Sequence, residues 1–598
     1  MTRIYTINAP LSGTVESLKS KSGAEVTTGE PVIVLESMKV HVQVKSDVNG
    51  MINELFVNEG DTVERGEPLF KIKESGSSID TELKQNSIPN HKSEHSLIAQ
   101  FHQRQAMALD SHRQTAQQKR HAKGYRTARE NLGDLCDIDS FQEYGQFAVA
   151  AQRGKRDYDI LKTETAADGI ITGIGAVNHE LFGDKPSQTA LVINDYSVLA
   201  GTQGYFHHLK LDRLLALAGQ QRLPIIMFTE GGGGRPNDTD VTTVNSGLQC
   251  GSFSTWAGMA DGQNKVPRIA VANGYNFAGN AALFGAADIT IATKNSWIGM
   301  AGPAMIEGGG LGNVKATDIG PIEVQSRNGV VDIVADDERH ACHLAKHALS
   351  FLQGSVDNYE SHDQSLLNSA LPENRKEIYD IRAIIERIAD KQSVLEIKPE
   401  FGASIVTAFI RLEGQAMGVM ASNCAVLGGA IDADAGEKTS DFIDLCHRFE
   451  LPILSLCDTP GFMVGPAHEE LGAVRRLAKL FAAGARHTAP FIAVVLRKCY
   501  GLGAQAMLGG NTMMPDYTLS WPTGEFGPMG LEGAVKLGFR KDLEAEQSEE
   551  KRAALFDKLV NKQYRRGHAI EVASALEIDA VIDPSETRVT LARCLQRY

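Results

Sequence analysis

A long internal duplication constrains the fold of this chain more than any other feature. Around residue 200 the sequence reads NDYSVLAGTQG, and around residue 428 it reads SNCAVLGGAID. Val198-Leu199 and Val426-Leu427 stand 228 residues apart, as do Leu223-Pro224-Ile225 and Leu451-Pro452-Ile453. Further on, PRIAVANGYNFAGNAALFG matches PFIAVVLRKCYGLGAQAMLGG, and Trp297 matches Trp521 at a spacing of 224. Repetition over such a length means one supersecondary pattern folded twice. In each copy apolar β-type runs alternate with amphipathic helical stretches, the signature of α/β layers. A polar segment near 354–376 separates the copies, so two α/β domains are expected over 97–356 and 375–598.

A second, shorter repeat occupies the N-terminus. At an offset of 37, Gly13 matches Gly50, Gly23 matches Gly60, Val26 matches Val63, and Gly29-Glu30-Pro31 matches Gly66-Glu67-Pro68. Short apolar alternations punctuated by glycines predict small strands and tight turns, hence a flattened all-β barrel with pseudo-twofold symmetry over 1–74. The strand-like runs VIVLE and VHVQV flank Ser37-Met38-Lys39, which places Lys39 near an exposed hairpin tip. The stretch at 75–96, rich in Ser, Asn and charge, reads as a flexible tether. As a coil of ~20 residues it would span roughly 25 Å.

Bulk properties exclude some classes of function. With 598 residues and a net charge of −14, general binding to nucleic acid or an anionic membrane is not expected, and an anionic ligand would need a local basic site. No apolar leader opens the sequence, and no stretch approaches the ~18 apolar residues of a membrane span. The eight cysteines form no CxxC pair and no metal-spaced set with histidine, so reduced thiols, no metal and a cytoplasmic location are expected.

The chemistry is expected where strands meet glycine turns. The run IIMF leads into Glu230-Gly231-Gly232-Gly233-Gly234-Arg235, and ILSL leads into Asp458-Thr459-Pro460-Gly461. Backbone amides in such turns can converge on a developing oxyanion. A phosphate cradle or a plain turn would look similar, although the GxxxxGK[ST] pattern is absent. Glu230 and Glu307 are a further candidate acid/base pair, for a hydratase. Lys119, Arg120, Lys123, Arg126 and Arg129 form a basic stretch that either meets an anionic ligand or is a solvated helix face.

Several of these motifs resemble known families. Residues 4–73, with Met38-Lys39-Val40 near the family's Met-Lys-Met, resemble the biotinyl/lipoyl carriers in their biotin form. KRHAKGYRTARE, GGGGR, YDIRAIIERI, DTPGFMVG, RKCYGLGAQAM and WPTGEFGPMG resemble the acyl-CoA carboxylase carboxyltransferases, most closely the single-chain long-chain type. The zinc-ribbon cysteines of the split bacterial acetyl-CoA enzymes are absent. The resemblance implies an α/β protein of two tandem crotonase-like domains behind a small all-β biotinyl barrel. It implies biotin attached to Lys39, and transfer of its carboxyl group to the α-carbon of an acyl-CoA. Because biotin itself serves as the base, no catalytic histidine is needed, and the protein supplies orientation and two oxyanion holes. By the motifs, Gly232 and Gly233 make one hole, for biotin. Leu502 and Gly503, where the family has Gly-Ala, make the other, for the thioester. Arg235 is a candidate for a CoA phosphate, and Gln505 stands where many relatives have an Asp facing the acyl tail. Implied partners are a separate biotin carboxylase subunit, a biotin protein ligase and further copies of the chain in a dimer-based hexamer. A decarboxylase or transcarboxylase on the same fold, or a non-catalytic biotin carrier scaffold, remain as alternatives.

Overall fold

The computed structural model describes residues 3–37, 40–75, 96–236, 238–240, 255–260 and 266–597. The chain divides into two compact units at Ser96. Most of the tether expected at 75–96 lies outside the described residues.

In the N-terminal unit the 37-residue repeat becomes two four-stranded sheets. One joins Ile4–Asn8, Pro68–Glu74, Gly50–Leu55 and Glu25–Val26; the other joins Val40–Lys45, Pro31–Ser37, Gly13–Leu18 and Thr62–Val63. Shifting one set by 37 gives the other. The turn contacts repeat as well: the Gly23 amide donates to Ile52 O and the Gly60 amide to Val15 O, both at 2.8 Å. Residues such as Val15, Ile33, Leu35, Ile52, Leu69 and Phe70 close a core of their own.

The second unit holds the duplication. Its first sheet contains β1 (Gln142–Tyr144), β2 (Ile170–Ala176), β3 (Gln188–Asn194), β4 (Ile225–Phe228), β5 (Arg268–Ala272), β6 (Ile289–Thr293) and β7 (Ile333–Ala335), paired in that order. Its second sheet contains β8 (Leu395–Ile397), β9 (Ile405–Leu412), β10 (Gln415–Ser422), β11 (Ile453–Thr459), β12 (Phe491–Tyr500), β13 (Tyr517–Ser520) and β14 (Ala580–Val581), again in order. In both, the first two pairings are antiparallel and the rest parallel. Register repeats too: Ala190 faces Ile225 in one half and Gly418 faces Ile453 in the other, 228 residues on. The central parallel strands are buried along their whole length, which is why IIMF and ILSL read as unbroken apolar runs.

Helices α1 (Tyr205–Gln221) and α2 (Ala433–Arg448) cover equivalent faces of the two sheets. Each carries a buried lysine at the same place. Lys210 Nζ donates to Ala167 O at 2.9 Å and Ile170 O at 2.5 Å, and Lys438 Nζ donates to Lys398 O at 3.0 Å and Phe401 O at 2.9 Å. Both ammonium groups thus tie down the turn that leads into β2 or β9. Burial pulls Lys210 down to about 8 and Lys438 down to about 7.

The halves share one core. Phe409 of β9 stacks on Phe351 at 5.5 Å and meets Phe442 of α2 at 5.2 Å, and Arg448 pairs with Asp288 across the halves at 2.5 Å. The polar 354–376 segment is no free linker: Leu367 within it is buried in the second sheet's outer cluster. Among the described residues, no helix is long and apolar enough to cross a membrane.

Candidate active site

Both glycine turns leave the carboxyl ends of their strands, β4 and β11, in matching conformations. Gln203 N donates to Gly233 O at 2.8 Å, and Arg235 N returns to Gln203 O at 2.8 Å. In the second half Ile431 N donates to Gly461 O at 3.0 Å and Met463 N to Ile431 O at 2.8 Å. The acid before each turn is buried and clamped. Glu230 receives both arms of Arg120, at 3.0 and 2.8 Å. Asp458 accepts from Tyr379 Oη at 2.9 Å, Arg497 Nε at 3.1 Å and the Lys498 amide at 2.9 Å. Burial pushes the Glu230 carboxyl up to about 7 against the pull of Arg120, and the like charge of Glu338 adds to the rise. These two acids were not singled out as a pair by sequence, although they stand 228 residues apart.

The Gly232 and Gly233 amides, expected to face a ligand, donate within the protein. Gly232 N meets Ala200 O at 3.1 Å and Gly233 N meets Asn280 Oδ1 at 3.0 Å. Asn280 occupies the position that Gly503 holds in the other copy, and its amide side chain is what reaches the turn.

The Leu502–Gly503 pair is arranged differently. Both residues open the short helix α3 (Gly501–Met507), and among the described residues neither amide has an acceptor. First-turn amides lack intrahelical partners and carry the positive end of the helix dipole. A Cβ on Gly503 would lie 2.5 Å from Gly461 C and 2.8 Å from Phe462 N, so only glycine lets the second turn lie against α3. Leu502 has an ordinary helical conformation and a side chain 62% exposed, which is why leucine is tolerated where the family has glycine. A cleft of about 680 Å³ opens here, lined by Leu502, Gln505, Leu508, Phe526, Leu531 and Val572 among others. Gln505 therefore stands where it can touch a ligand.

Other candidates are corrected by their surroundings. Arg235 cannot serve a CoA phosphate, because its side chain is 4% exposed and its guanidinium pairs with Asp168 at 2.6 Å and Asp238 at 3.5 Å. In the basic stretch, Arg120 is buried on Glu230, Arg126 pairs with Asp134 and Arg129 with Glu143, leaving Lys119 and Lys123 as solvated cations. Glu307 is exposed on a short helix while Glu230 is clamped, so the hydratase pair gains no support. Among the described residues the cysteines are buried free thiols, and no group of acidic, His or Cys side chains could hold a metal.

Lys39 lies outside the described residues. Its neighbours fit a carrier lysine: Ser37 pairs with Val40 at the end of the hairpin, and Val40 is 60% exposed.

Comparison with known proteins gives the family of the chain. The carboxyl transferase domain family matches residues 119–598, and the biotin-requiring enzyme family matches residues 5–72. The chain belongs to the carboxyl transferase family and is a biotin-dependent carboxyltransferase with its own carrier domain. It is 30% identical over 494 residues to the methylmalonyl-CoA carboxyltransferase 12S subunit of Propionibacterium freudenreichii subsp. shermanii, covering 80% of this chain and 90% of that one. The crystal structure of a transcarboxylase 12S hexamer with methylmalonyl-CoA bound superposes with a TM-score of 0.73 at 28% identity, covering 86% of this chain and 97% of that one. A single-chain, multi-domain long-chain acyl-CoA carboxylase superposes with a TM-score of 0.79 at 43% identity. That match covers 99% of this chain, which spans 56% of the longer one.

Proposed function

We propose that this protein moves a carboxyl group between biotin on Lys39 and the α-carbon of an acyl-CoA, as the carrier and carboxyltransferase subunit of an acyl-CoA carboxylase. The observation that carries this reading is the pair of unspent amides, Leu502 and Gly503, at the head of a cleft large enough for an acyl group. When bound, biotin supplies the carboxyl group and, once that has left, the base for the α-proton. The chain's own residues do the rest. The Leu502 and Gly503 amides hold the thioester oxygen and stabilise the charge that develops on it. Gln505, on the next turn of α3, faces the acyl tail, and Leu508, Phe526 and Leu531 keep water from it. The Gly232–Gly233 turn would be the part that holds biotin, and its amides, which now donate to Ala200 O and Asn280 Oδ1, would have to leave those acceptors to do so.

The two halves, over 97–356 and 375–598, are read as tandem crotonase-like domains, and 75–96 as the tether to the 1–74 carrier. A separate biotin carboxylase and a biotin protein ligase are the proposed partners, and a hexamer like that of the 12S transcarboxylase is the proposed assembly. Buried free thiols fit the cytoplasm. The 43% identity to a long-chain carboxylase favours acyl groups longer than propionyl. Running the same chemistry as a transcarboxylase is the second reading, favoured by the 12S relative.

Co-expression with a biotin ligase tests the proposal. Intact mass and streptavidin blotting should find one biotin on the wild type and none on Lys39→Arg. No modification despite an active ligase would remove Lys39 from the mechanism.

A further inference from the structure

The proposed substrate ends in a 3′-phosphate and a diphosphate, and a chain of net charge −14 needs local cations to hold them. Near the two turns, among the described residues, most cations are spent, the solvated Lys119 and Lys123 aside. Arg120, Arg126, Arg129, Arg235, Arg497 and Lys498 all meet carboxylates. A denser set lies on α4 (Glu549–Arg566), a helix beside the cleft. Its apolar side, with Leu555, Phe556 and Val560, packs on Val535 and Leu543. Its solvent side carries Lys558, Lys562, Arg565 and Arg566, all exposed, and none forms an ion pair among the described residues.

The spacing 558, 562, 565–566 puts these cations on one helix face, rising about 12 Å from first to last. Like charges one turn apart repel, so the stripe does not serve the helix. The helix dipole accounts for arginines in the last turn, but Lys562 and Lys558 lie one and two turns earlier. The stripe also ends at the site: Gln563 and Arg566 line the same cleft as Leu502 and Gln505, with Glu577 the acid in its lining. Asp557 is the acidic neighbour on the helix itself.

We propose that this basic face of α4 binds the phosphate groups of coenzyme A, so that the nucleotide end lies along the helix while the thioester reaches Leu502 and Gly503. The assignment rests on the acyl-CoA reading above and names the anchor that Arg235 does not supply.

The test uses the full biotinylated chain and the triple variant Lys558→Gln/Lys562→Gln/Arg565→Gln, whose unchanged circular dichroism verifies folding. Calorimetric titration with coenzyme A should find Kd raised at least tenfold in the variant and, in the wild type, a salt dependence that the variant has lost. With acyl-CoA, and with biotin carboxylase, ATP and bicarbonate supplied to recharge the biotin, KM should rise at least tenfold and kcat stay within threefold. The phosphate-free acyl-pantetheine should be used equally by both proteins. Unchanged coenzyme A affinity in the variant, an equal loss with acyl-pantetheine, or inorganic phosphate competing as tightly as coenzyme A would each overturn the assignment. Wild type that binds coenzyme A through the stripe yet carries out no carboxyl transfer would leave the site standing and sink the proposed function instead.

Discussion

At the scale of single residues, the two buried lysines show most directly how the duplication works. Lys210 and Lys438 perform one task in the two halves, each replacing water around a turn's carbonyls with its own N–H groups. The cost is a buried ammonium, and burial holds both groups below the ordinary lysine range. A lysine lowered in the folded state sheds its proton before the unfolded chain does. Between about 7 and 10 the unfolded state therefore binds more protons, and the group's contribution to stability rises with pH. Lys438→Met abolishes that linkage. The stability of wild type relative to the variant is predicted to grow between pH 7 and 9, at a limiting slope of about 1.4 kcal/mol per pH unit. Urea midpoints at several pH values measure it, and a constant difference would show that Lys438 does not titrate in this range.

At the scale of elements, the strand–turn–helix units were legible because the apolar period survives in both copies. Buried parallel strands announce themselves as IIMF and ILSL, and glycine-rich turns announce close backbone approach. What the turns donate to was not legible, because the acceptors are remote in sequence. Gly233 spends its amide on Asn280, 47 residues away, and Arg235 its charge on Asp168, 67 residues away. Local spacing holds no trace of either. A position-by-position comparison of the two copies does hold one signal: Asn280 stands against Gly503, so the two turns cannot be equivalent in their free donors. The same comparison sets Glu230 against Asp458, the acids that anchor the turns. Arg235 belongs to this level as a brace between the turn and Asp168. Arg235→Met leaves a buried carboxylate unpaired and is predicted to cost about 3–5 kcal/mol, measured by chemical denaturation. Asp168→Asn in the same chain should restore part of that loss, and KM for acyl-CoA should not change in the double variant. A rise in KM at unchanged stability would return Arg235 to the substrate.

At the scale of the whole molecule, two repeats of different length make two units, each with its own core. The short repeat presents a hairpin whose end rung, Ser37–Val40, brackets Lys39 in sequence. The long repeat makes two sheets fused through Phe351, Phe409 and Phe442, and its halves have diverged where chemistry is expected. One half fills the position with Asn280, while the other keeps Gly503, and with it a turn pressed against a helix whose first amides are free. The central claim is that carboxyl transfer runs between Lys39 and this helix. The most direct measurement supplies the biotinylated chain with a carboxylated acyl-CoA labelled in its carboxyl group and follows label onto the protein. The account predicts label on the wild type, none on Lys39→Arg, and transfer slowed roughly 100-fold or more in Gly503→Ala, whose Cβ would strike Gly461 and Phe462 and move the helix amides out of place, an effect on the scale of a lost oxyanion donor. Label that reaches the protein without Lys39, or transfer indifferent to Gly503→Ala, would contradict it.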